Sequence, residues 1–255
     1  MSSPAAAVPQ TSYQIQGREV RLPVEVRDAS TSVAFYLVSA RAAQRLVEPT
    51  GLRIATIAPG RTLCTIGSVD YRDNDLGAYH EMAITFFVRE RGGRSLPFAS
   101  TLLGLVHGSL ATYIHHLPVD GAFTCEAGQT IWGFPKFMSE IAITRDGGAE
   151  TSALSVDGQH VLTQTVRTGG ARTMPARDQI SYALRGGVLY RTRAVMRGTG
   201  MGARLGGATL QLGTHPIAGE LRTLGLPKRA LASTTIAYMS ATFYAATTSE
   251  VHRRS

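Results

Sequence analysis

Apolar and polar residues alternate with a period of two in several segments of the chain. In residues 188–197, Arg191, Arg193 and Arg197 share one parity, while apolar or small residues occupy the other. Such alternation is typical of a half-exposed β-strand, because successive side chains point to opposite faces. Alternation, or β-branched and aromatic residues between polar turns, predicts strands at 18–28, 32–40, 61–71, 80–90, 188–197 and 230–247.

Two stretches predict short helices, and residues 207–226 mix a strand with a further short helix. Residues 39–49 are amphipathic and end at a proline, which cannot continue a helix. Residues 120–133 begin with Asp120, a residue type favoured at N-caps, and end at Gly133. Both helices are short beside the predicted strands, so the pattern favours a β-rich α+β fold.

Turn residues and composition divide the rest of the chain. Asp157–Gly158 predicts a hairpin turn. Residues 198–207 are rich in glycine but fit no nucleotide-binding glycine fingerprint, so we expect a flexible basic loop. Residues 100–110 fit a helix or a strand equally well. We expect a flexible tail at 1–12, followed by a single domain at 13–255.

The composition limits the cellular setting. No run of about 18 uncharged apolar residues predicts a membrane-spanning helix. The first residues lack the basic and apolar regions of a secretory signal. Cys64 and Cys125 lie in apolar surroundings and predict buried thiols, as expected in a reducing compartment. We therefore expect a cytoplasmic protein without a membrane partner.

The net charge is +8, carried by 24 arginines and only two lysines, Lys136 and Lys228. The arginines are spread along the chain, and no nucleic-acid-binding module accompanies them, so a solvated surface is favoured over a nucleic-acid partner. Lys228 follows a turn and adjoins Arg229, which favours a solvated role. Lys136 is the exception, because it lies within an apolar stretch.

Several common chemistries lack their motifs. His80 and Glu81 would begin a zincin HExxH motif, but position 84 is Ile84. His115 and His116 are adjacent, so in a regular strand they would point to opposite faces and not bind one metal. No GxSxG nucleophile elbow occurs either. We expect neither a metal nor another cofactor.

The segment "QTIWGFPKFMSEI" (129–141) surrounds Lys136 with Trp132, Phe134, Phe137 and Met138. Burial disfavours an ammonium ion and lowers the pKa of a lysine, which makes the free amine available for attack on a ketone. Arginine offers no such nucleophile. The competing interpretation is a surface lysine whose stem lies along the aromatic rings.

Three segments in order resemble the acetoacetate decarboxylase family over about residues 30–245. In chain order they are "LGAYHEMAITFFV", "GQTIWGFPKFM" and "ATLQLGTHPIAGELRTLGLPKRALASTTI". The resemblance implies a single domain of mainly antiparallel strands, curled into a cone or barrel with a few short helices. It also implies a Schiff-base lysine at Lys136, a catalytic glutamate at Glu81 and a homo-oligomer.

The resemblance further implies a small keto acid that loses CO2, with Tyr79, Trp132, Phe134 and an arginine binding it. The ungapped position of that arginine is Ser30, so the nearby Arg27 and Arg18 are the candidates, and Arg27 is preferred.

The chain departs from the family where a second lysine follows the nucleophile, since Phe137 stands there. That leaves desolvation as the only expected means of lowering the pKa of Lys136. Two alternatives to decarboxylation therefore stay open. One is a Schiff-base aldolase-dehydratase or cyclase, and the other is a non-catalytic binder of small ligands on the same scaffold.

Overall fold

The computed structural model describes residues 11–90, 101, 104 and 108–251. Its strands are β1 Ser12–Ile15, β2 Arg18–Arg21, β3 Val24–Ser39, β4 Arg53–Ile54, β5 Thr56–Ala58, β6 Arg61–Asn74, β7 Tyr79–Arg89, β8 Ala111–Val119, β9 Lys136–Met138, β10 Glu140–Asp146, β11 Ala149–Val156, β12 Gln159–Arg167, β13 Arg172–Arg185, β14 Val188–Leu205, β15 Ala208–Leu212, β16 Ala232–Phe243 and β17 Thr247–Glu250. The helices are α1 Ala40–Val47, α2 Ala122–Trp132 and α3 Pro216–Thr223, and a 3-10 turn covers Glu48–Thr50.

Seven of the described strands close into a barrel in the order β7, β6, β3, β16, β14, β13 and β8. The pairing of β7 with β8 closes the ring, and β13 with β8 is its parallel pair. Closure leaves no free edge within the ring, so backbone groups along these strands find partners. The expected α+β fold, with mainly antiparallel strands curled into a barrel, is confirmed.

A four-stranded sheet, in the order β10, β11, β12 and β15, covers one side of the barrel. Tyr36 donates a hydrogen bond from its hydroxyl to Gln164 Oε1 at 3.0 Å, joining β3 to β12. Leu154 and Leu162 of this sheet are fully buried in the same core as Tyr36. Strand β3 is therefore apolar on both faces, because one faces this core and the other faces the barrel interior.

Several sequence predictions are confirmed with small shifts. The sequence predicted separate strands at 18–28 and 32–40, whereas β3 runs without a break from Val24 to Ser39. Helix α1 begins after Ser39, whose hydroxyl accepts a hydrogen bond from the Ala42 backbone. Asp157 and Gly158 have φ angles of 49° and 71°, as a tight hairpin turn requires. The predicted exposure of Arg191, Arg193 and Arg197 is also confirmed.

The prediction of a flexible loop at 198–207 is wrong, because β14 continues to Leu205. Its glycines lie where backbones approach closely. A Cβ on Gly202 would lie 2.1 Å from the Gly169 carbonyl oxygen, and a Cβ on Gly198 would lie 2.5 Å from Ile236. Glycine is therefore a packing requirement of this strand rather than a sign of mobility.

Asp120 is not the N-cap of α2. Gly121 takes that position and makes no side-chain cap hydrogen bond. The Asp120 carboxylate instead accepts a hydrogen bond from the His80 backbone at 2.7 Å and contacts His80 Nδ1 at 2.7 Å. The Asp120 carboxylate thus binds His80 on β7, which is distant in sequence, instead of the backbone N–H groups at the start of α2.

Other predictions fall partly outside the described residues. Residues 1–10 of the predicted tail lie outside them, while Ser12 already belongs to β1. Most of 100–110 also lies outside. The predicted thiols are confirmed, since Cys64 and Cys125 are unpaired and buried. Among the helices of the described residues, none combines the length and the apolarity that crossing a bilayer demands.

Candidate active site

Lys136 enters the barrel because of the chain that precedes it. Helix α2 ends at Gly133, which adopts a φ of 61°, and the chain then turns so that Lys136 begins β9 beside Leu117 of β8. Gly128 on α2 leaves room for the lysine stem, since a Cβ there would lie 2.5 Å from Lys136 Cδ. The Lys136 side chain is only 3% exposed, so the alternative of a surface lysine is wrong.

The three hydrogens of the Lys136 ammonium face three oxygens. Nζ lies 2.9 Å from Glu81 Oε2, 3.0 Å from Thr124 Oγ1 and 3.4 Å from the Tyr79 hydroxyl. An ammonium group has three donors and no acceptor, so this arrangement satisfies it fully. The free protein therefore holds Lys136 as a buried, paired ammonium ion.

Two stacked tyrosines complete the surroundings of Glu81. The rings of Tyr71 and Tyr79 lie 4.5 Å apart, and the Tyr71 hydroxyl donates to Glu81 Oε1 at 3.4 Å. Burial, together with the Glu81 charge, raises the pKa of Tyr71 well above its usual value. Burial also raises the pKa of Tyr79, although the Lys136 charge partly opposes this rise. Both phenols thus stay neutral beside the ion pair.

The predicted direction of the Lys136 pKa shift is wrong for this state. Burial does act to lower the pKa, but the charge and hydrogen bonds of Glu81 and Tyr79 outweigh it and raise the pKa above its ordinary value. The sequence identified the apolar neighbours but not the carboxylate at contact distance. Desolvation is therefore not the only influence on this pKa, and it is outweighed while Glu81 lies at contact distance.

The ion pair opens onto a cavity of about 330 Å³ inside the barrel. Five of the residues predicted for the site line it, namely Lys136, Glu81, Tyr79, Trp132 and Phe134. The structure thus brings together residues from α2, β7, β9 and the chain between α2 and β9.

Arg27 is not brought to this site. It is half-exposed outside the cavity, where it pairs with Asp73 at 2.7 Å and Asp75 at 2.6 Å. Its assignment to the substrate carboxylate is therefore not supported by the geometry. Among the described residues that line the cavity, Lys136 is the only cation. Arg18, the other arginine considered, hydrogen-bonds to the Asp75 carbonyl instead.

Sequence reasoning missed Thr124 and Tyr71. Thr124 lies four residues before Gly128, so helical periodicity could have placed both on the face that meets Lys136. Tyr71 pairs with Tyr79 across β6 and β7, and only the strand register reveals this. Neither position carries a recognisable motif.

The model of the family described as acetoacetate decarboxylase (ADC) matches residues 7–251. The chain belongs to the acetoacetate decarboxylase family. A comparison with curated proteins found no match.

Solved structures with the same fold include acetoacetate decarboxylases. One, from a study of acetoacetate decarboxylase, is 17% identical with a TM-score of 0.65 and covers 92% of both chains. The enzyme from Legionella pneumophila is 15% identical with a TM-score of 0.64, covering 98% of this chain and 93% of its own.

The enduracididine biosynthesis enzyme MppR, complexed with the condensation product of pyruvate and imidazole 4-carboxaldehyde, is 15% identical with a TM-score of 0.60. The match covers 96% of this chain and 98% of the MppR chain. At these identities the likeness shows the fold alone.

His115, His116 and Glu220 form a separate cluster whose donor atoms lie within 4.8 Å of one another. The prediction that the histidines point to opposite faces is wrong. Ile84 pairs with His116 while Thr85 pairs with Ile114, so His115 is an extra residue in a β-bulge. Both Nε2 atoms consequently lie 2.9 Å from Glu220 Oε1.

This cluster fits a structural role better than a metal site. His115 Nδ1 is buried and has no hydrogen-bond partner within the described structure. A metal on Nε2 would move the ring proton to Nδ1, where metal-binding histidines normally donate to an acceptor. The two Nε2–H groups can instead donate to Glu220, which fastens α3 to β8.

Proposed function

We propose that this member of the acetoacetate decarboxylase family forms a Schiff base between Lys136 and a keto acid and releases CO2. The observation that carries the proposal is the buried contact of 2.9 Å between Lys136 Nζ and Glu81 Oε2 in an apolar cavity. Such a pair is costly as a stabilising device, so its presence favours a chemical role.

Proton transfer from Lys136 to Glu81 starts the proposed reaction. The free amine attacks the ketone carbon, Glu81 passes its proton to the carbinolamine oxygen, and loss of water gives a protonated imine. The C–C bond to the carboxylate then breaks, CO2 leaves, and the bonding electrons move into the imine to give an enamine. Glu81, by then a carboxylate again, relays a proton from solvent water to the enamine carbon, and hydrolysis of the resulting iminium releases the ketone and restores the Lys136 ammonium.

The apolar cavity supports the C–C cleavage step. A substrate carboxylate placed there exchanges its hydration shell for apolar walls, which destabilises the localised negative charge. Charge spreads toward the iminium as the bond breaks, so desolvation destabilises the transition state less than it destabilises the ground state. Repulsion between the Glu81 carboxylate and the substrate carboxylate also destabilises the ground state more than the transition state.

A Schiff-base aldolase-dehydratase is the second candidate. MppR, which shares the fold, was solved with the condensation product of pyruvate and an aldehyde. In that reaction the enamine attacks an aldehyde instead of taking up a proton.

Borohydride trapping tests these proposals. The protein is incubated with a keto acid, reduced, digested and analysed by mass spectrometry for an adduct on Lys136, with the Lys136→Arg variant as the matched control. An adduct with CO2 release supports decarboxylation, and an adduct without CO2 release supports the aldolase-type reaction. A wild-type protein without any adduct across a broad ketone panel would leave only the non-catalytic binder.

The proposal includes a homo-oligomer that acts in the cytoplasm. The family resemblance supports the assembly, and the two unpaired, buried cysteines support a reducing compartment. Light scattering on the purified protein tests the first part, since a monomeric mass at micromolar concentration would contradict it. Fractionation of cells that express the chain tests the second part.

A further inference from the structure

We propose that the natural substrate carries an uncharged apolar chain, which extends from the reacting carbonyl along the barrel axis past Gly67 and Ala83. This inference rests on the proposed Schiff-base function of Lys136. It adds the class of substrate, a 3-oxo acid or related ketone of medium chain length rather than a four-carbon compound.

The cavity extends well beyond the ion pair. On β7, Glu81, Ala83, Thr85 and Phe87 all face the cavity in succession. A strand rises about 3.3 Å per residue, so Glu81 and Phe87 lie roughly 20 Å apart along β7. Because barrel strands tilt by about 35–45°, the corresponding distance along the axis is about 15 Å. The space is elongated, and one arm of it extends from Glu81 toward Phe87.

The size of the cavity exceeds what a four-carbon keto acid fills. An apolar protein cavity of about 150 Å³ accommodates benzene. In proportion, the cavity of about 330 Å³ accommodates roughly a dozen non-hydrogen atoms. A four-carbon keto acid uses about half of that space, and a 3-oxo acid of roughly eight to ten carbons fills it.

The middle of the cavity is kept open by two small residues. Gly67 of β6 pairs directly with Ala83 of β7, and both line the cavity. A Cβ on Gly67 would meet only Val33 Cγ2 at 3.4 Å and the Ser32 carbonyl oxygen at 3.7 Å, which are ordinary contacts. Backbone packing therefore does not demand glycine here. Its effect is to leave an unobstructed path from Glu81 toward Thr85.

The walls beyond Glu81 carry no formal charge among the described lining residues. The hydroxyls of Thr65 and Thr85 hydrogen-bond to each other, and Thr112 Oγ1 is 3.5 Å from Gln179 Nε2. A charged group at that depth would lose its hydration without gaining a partner of opposite charge. The rings of Phe35 and Phe87 also line this part, with centroids 6.3 Å apart. An apolar tail is the group that fits.

A series of methyl ketones from acetone to 2-decanone tests the inference, because ketones separate chain length from carboxylate chemistry. Each is trapped on Lys136 by cyanoborohydride, and the trapping efficiency at low ketone concentration is measured. Burial of one methylene corresponds to roughly a fourfold gain in binding, so about four added methylenes should raise the efficiency about 250-fold. Equal or falling efficiency with chain length would overturn the inference.

Variants at the opening locate the tail. Gly67→Leu should lower trapping of 2-decanone by about 30-fold or more, while acetone trapping changes by less than about threefold. Ala83→Leu tests the same opening from the opposite strand if Gly67→Leu fails to fold. Gly219→Leu is the matched control, because its Cβ would meet nothing within 4 Å and it lies on α3, outside the cavity.

The two proposals fail in different ways. If no ketone of any length forms an adduct on Lys136, the Schiff-base function fails. If acetone reacts but chain length and the leucine variants make no difference, the function stands and the inference fails. Decan-1-ol, which cannot form an imine, should compete with 2-decanone in the wild-type protein, and its failure to compete also contradicts the inference.

Discussion

Glu81 of β7 and Lys136 of β9 face each other at 2.9 Å although their strands are separated by β8. Glu81 pairs with Val119 and Lys136 with Leu117 on the two sides of that intervening strand. The contact therefore spans the inner surface of the barrel rather than a single strand pair. Four predictions test what this contact and its surroundings do.

Replacing Glu81 with Gln should lower the pKa of Lys136. The carboxylate that raises this pKa is removed, while the burial that lowers it remains. We expect cyanoborohydride trapping of acetone to reach half its maximum at a pH at least about one unit lower than in the wild type. Catalytic turnover should nevertheless fall by about 10²–10⁴, because the proton acceptor and donor is lost. A midpoint that stays or rises would contradict this account.

Replacing Lys136 with Met should destabilise the protein by about 3–5 kcal/mol, because it leaves the Glu81 carboxylate buried without its cation. The double variant Lys136→Met/Glu81→Leu should recover most of that loss, since two apolar side chains need no partner. Urea unfolding of the two variants measures both effects. If Lys136→Met is as stable as the wild type, the Glu81 carboxylate is effectively solvated, which contradicts this prediction.

Replacing Gly128 with Ala should displace Lys136 without weakening α2. The new Cβ would lie 2.5 Å from Lys136 Cδ, so the stem must move. Alanine favours a helix over glycine by about 1 kcal/mol, which offsets part of the strain. We expect imine formation to fall by about 10²-fold, since small misplacement of a reacting group is costly.

Gly219→Ala on α3 serves as the control for this change, because a Cβ there meets nothing. It should leave imine formation unchanged. Equal rates in both variants would mean that the lysine stem adapts freely.

Replacing Glu220 with Gln should weaken the protein near neutral pH. Burial acts to raise the Glu220 pKa, but the hydrogen bonds of His115 and His116 outweigh it and hold the pKa below its usual value of 4.5. A carboxyl group with a depressed folded pKa stabilises the fold above the unfolded pKa, and this contribution is lost as pH falls through the folded value.

We expect Glu220→Gln to cost about 1.5–3 kcal/mol at pH 7, as for hydrogen bonds to a charged group. The melting temperature should then depend less on pH below about 4.5 than in the wild type. Glu19→Gln is the control, since its partner Arg21 is highly exposed and such pairs contribute little. An identical acid profile in wild type and Glu220→Gln would contradict this role.

Local signals identified the catalytic candidates better than the residues around them. Lys136 was found because its neighbours are apolar and because the chain otherwise uses arginine. Arg27 was misplaced because proximity along the chain said nothing about its partners, Asp73 and Asp75, on β6 and just beyond it. The His115 prediction failed because a β-bulge shifts side-chain parity by one residue, and an alternating pattern does not reveal it.

The sequence by itself determined the strand-rich fold, the hairpin turn at Asp157–Gly158 and the family, together with Lys136 and Glu81 as candidates. These depend on local alternation, turn chemistry and short motifs. Only the tertiary structure decided that Glu81 contacts Lys136 and raises its pKa, that Arg27 lies elsewhere, and that Gly67 faces Ala83 across an open cavity. The reason is that pKa values and cavity shape depend on distances between side chains from different strands, which barrel closure and register fix.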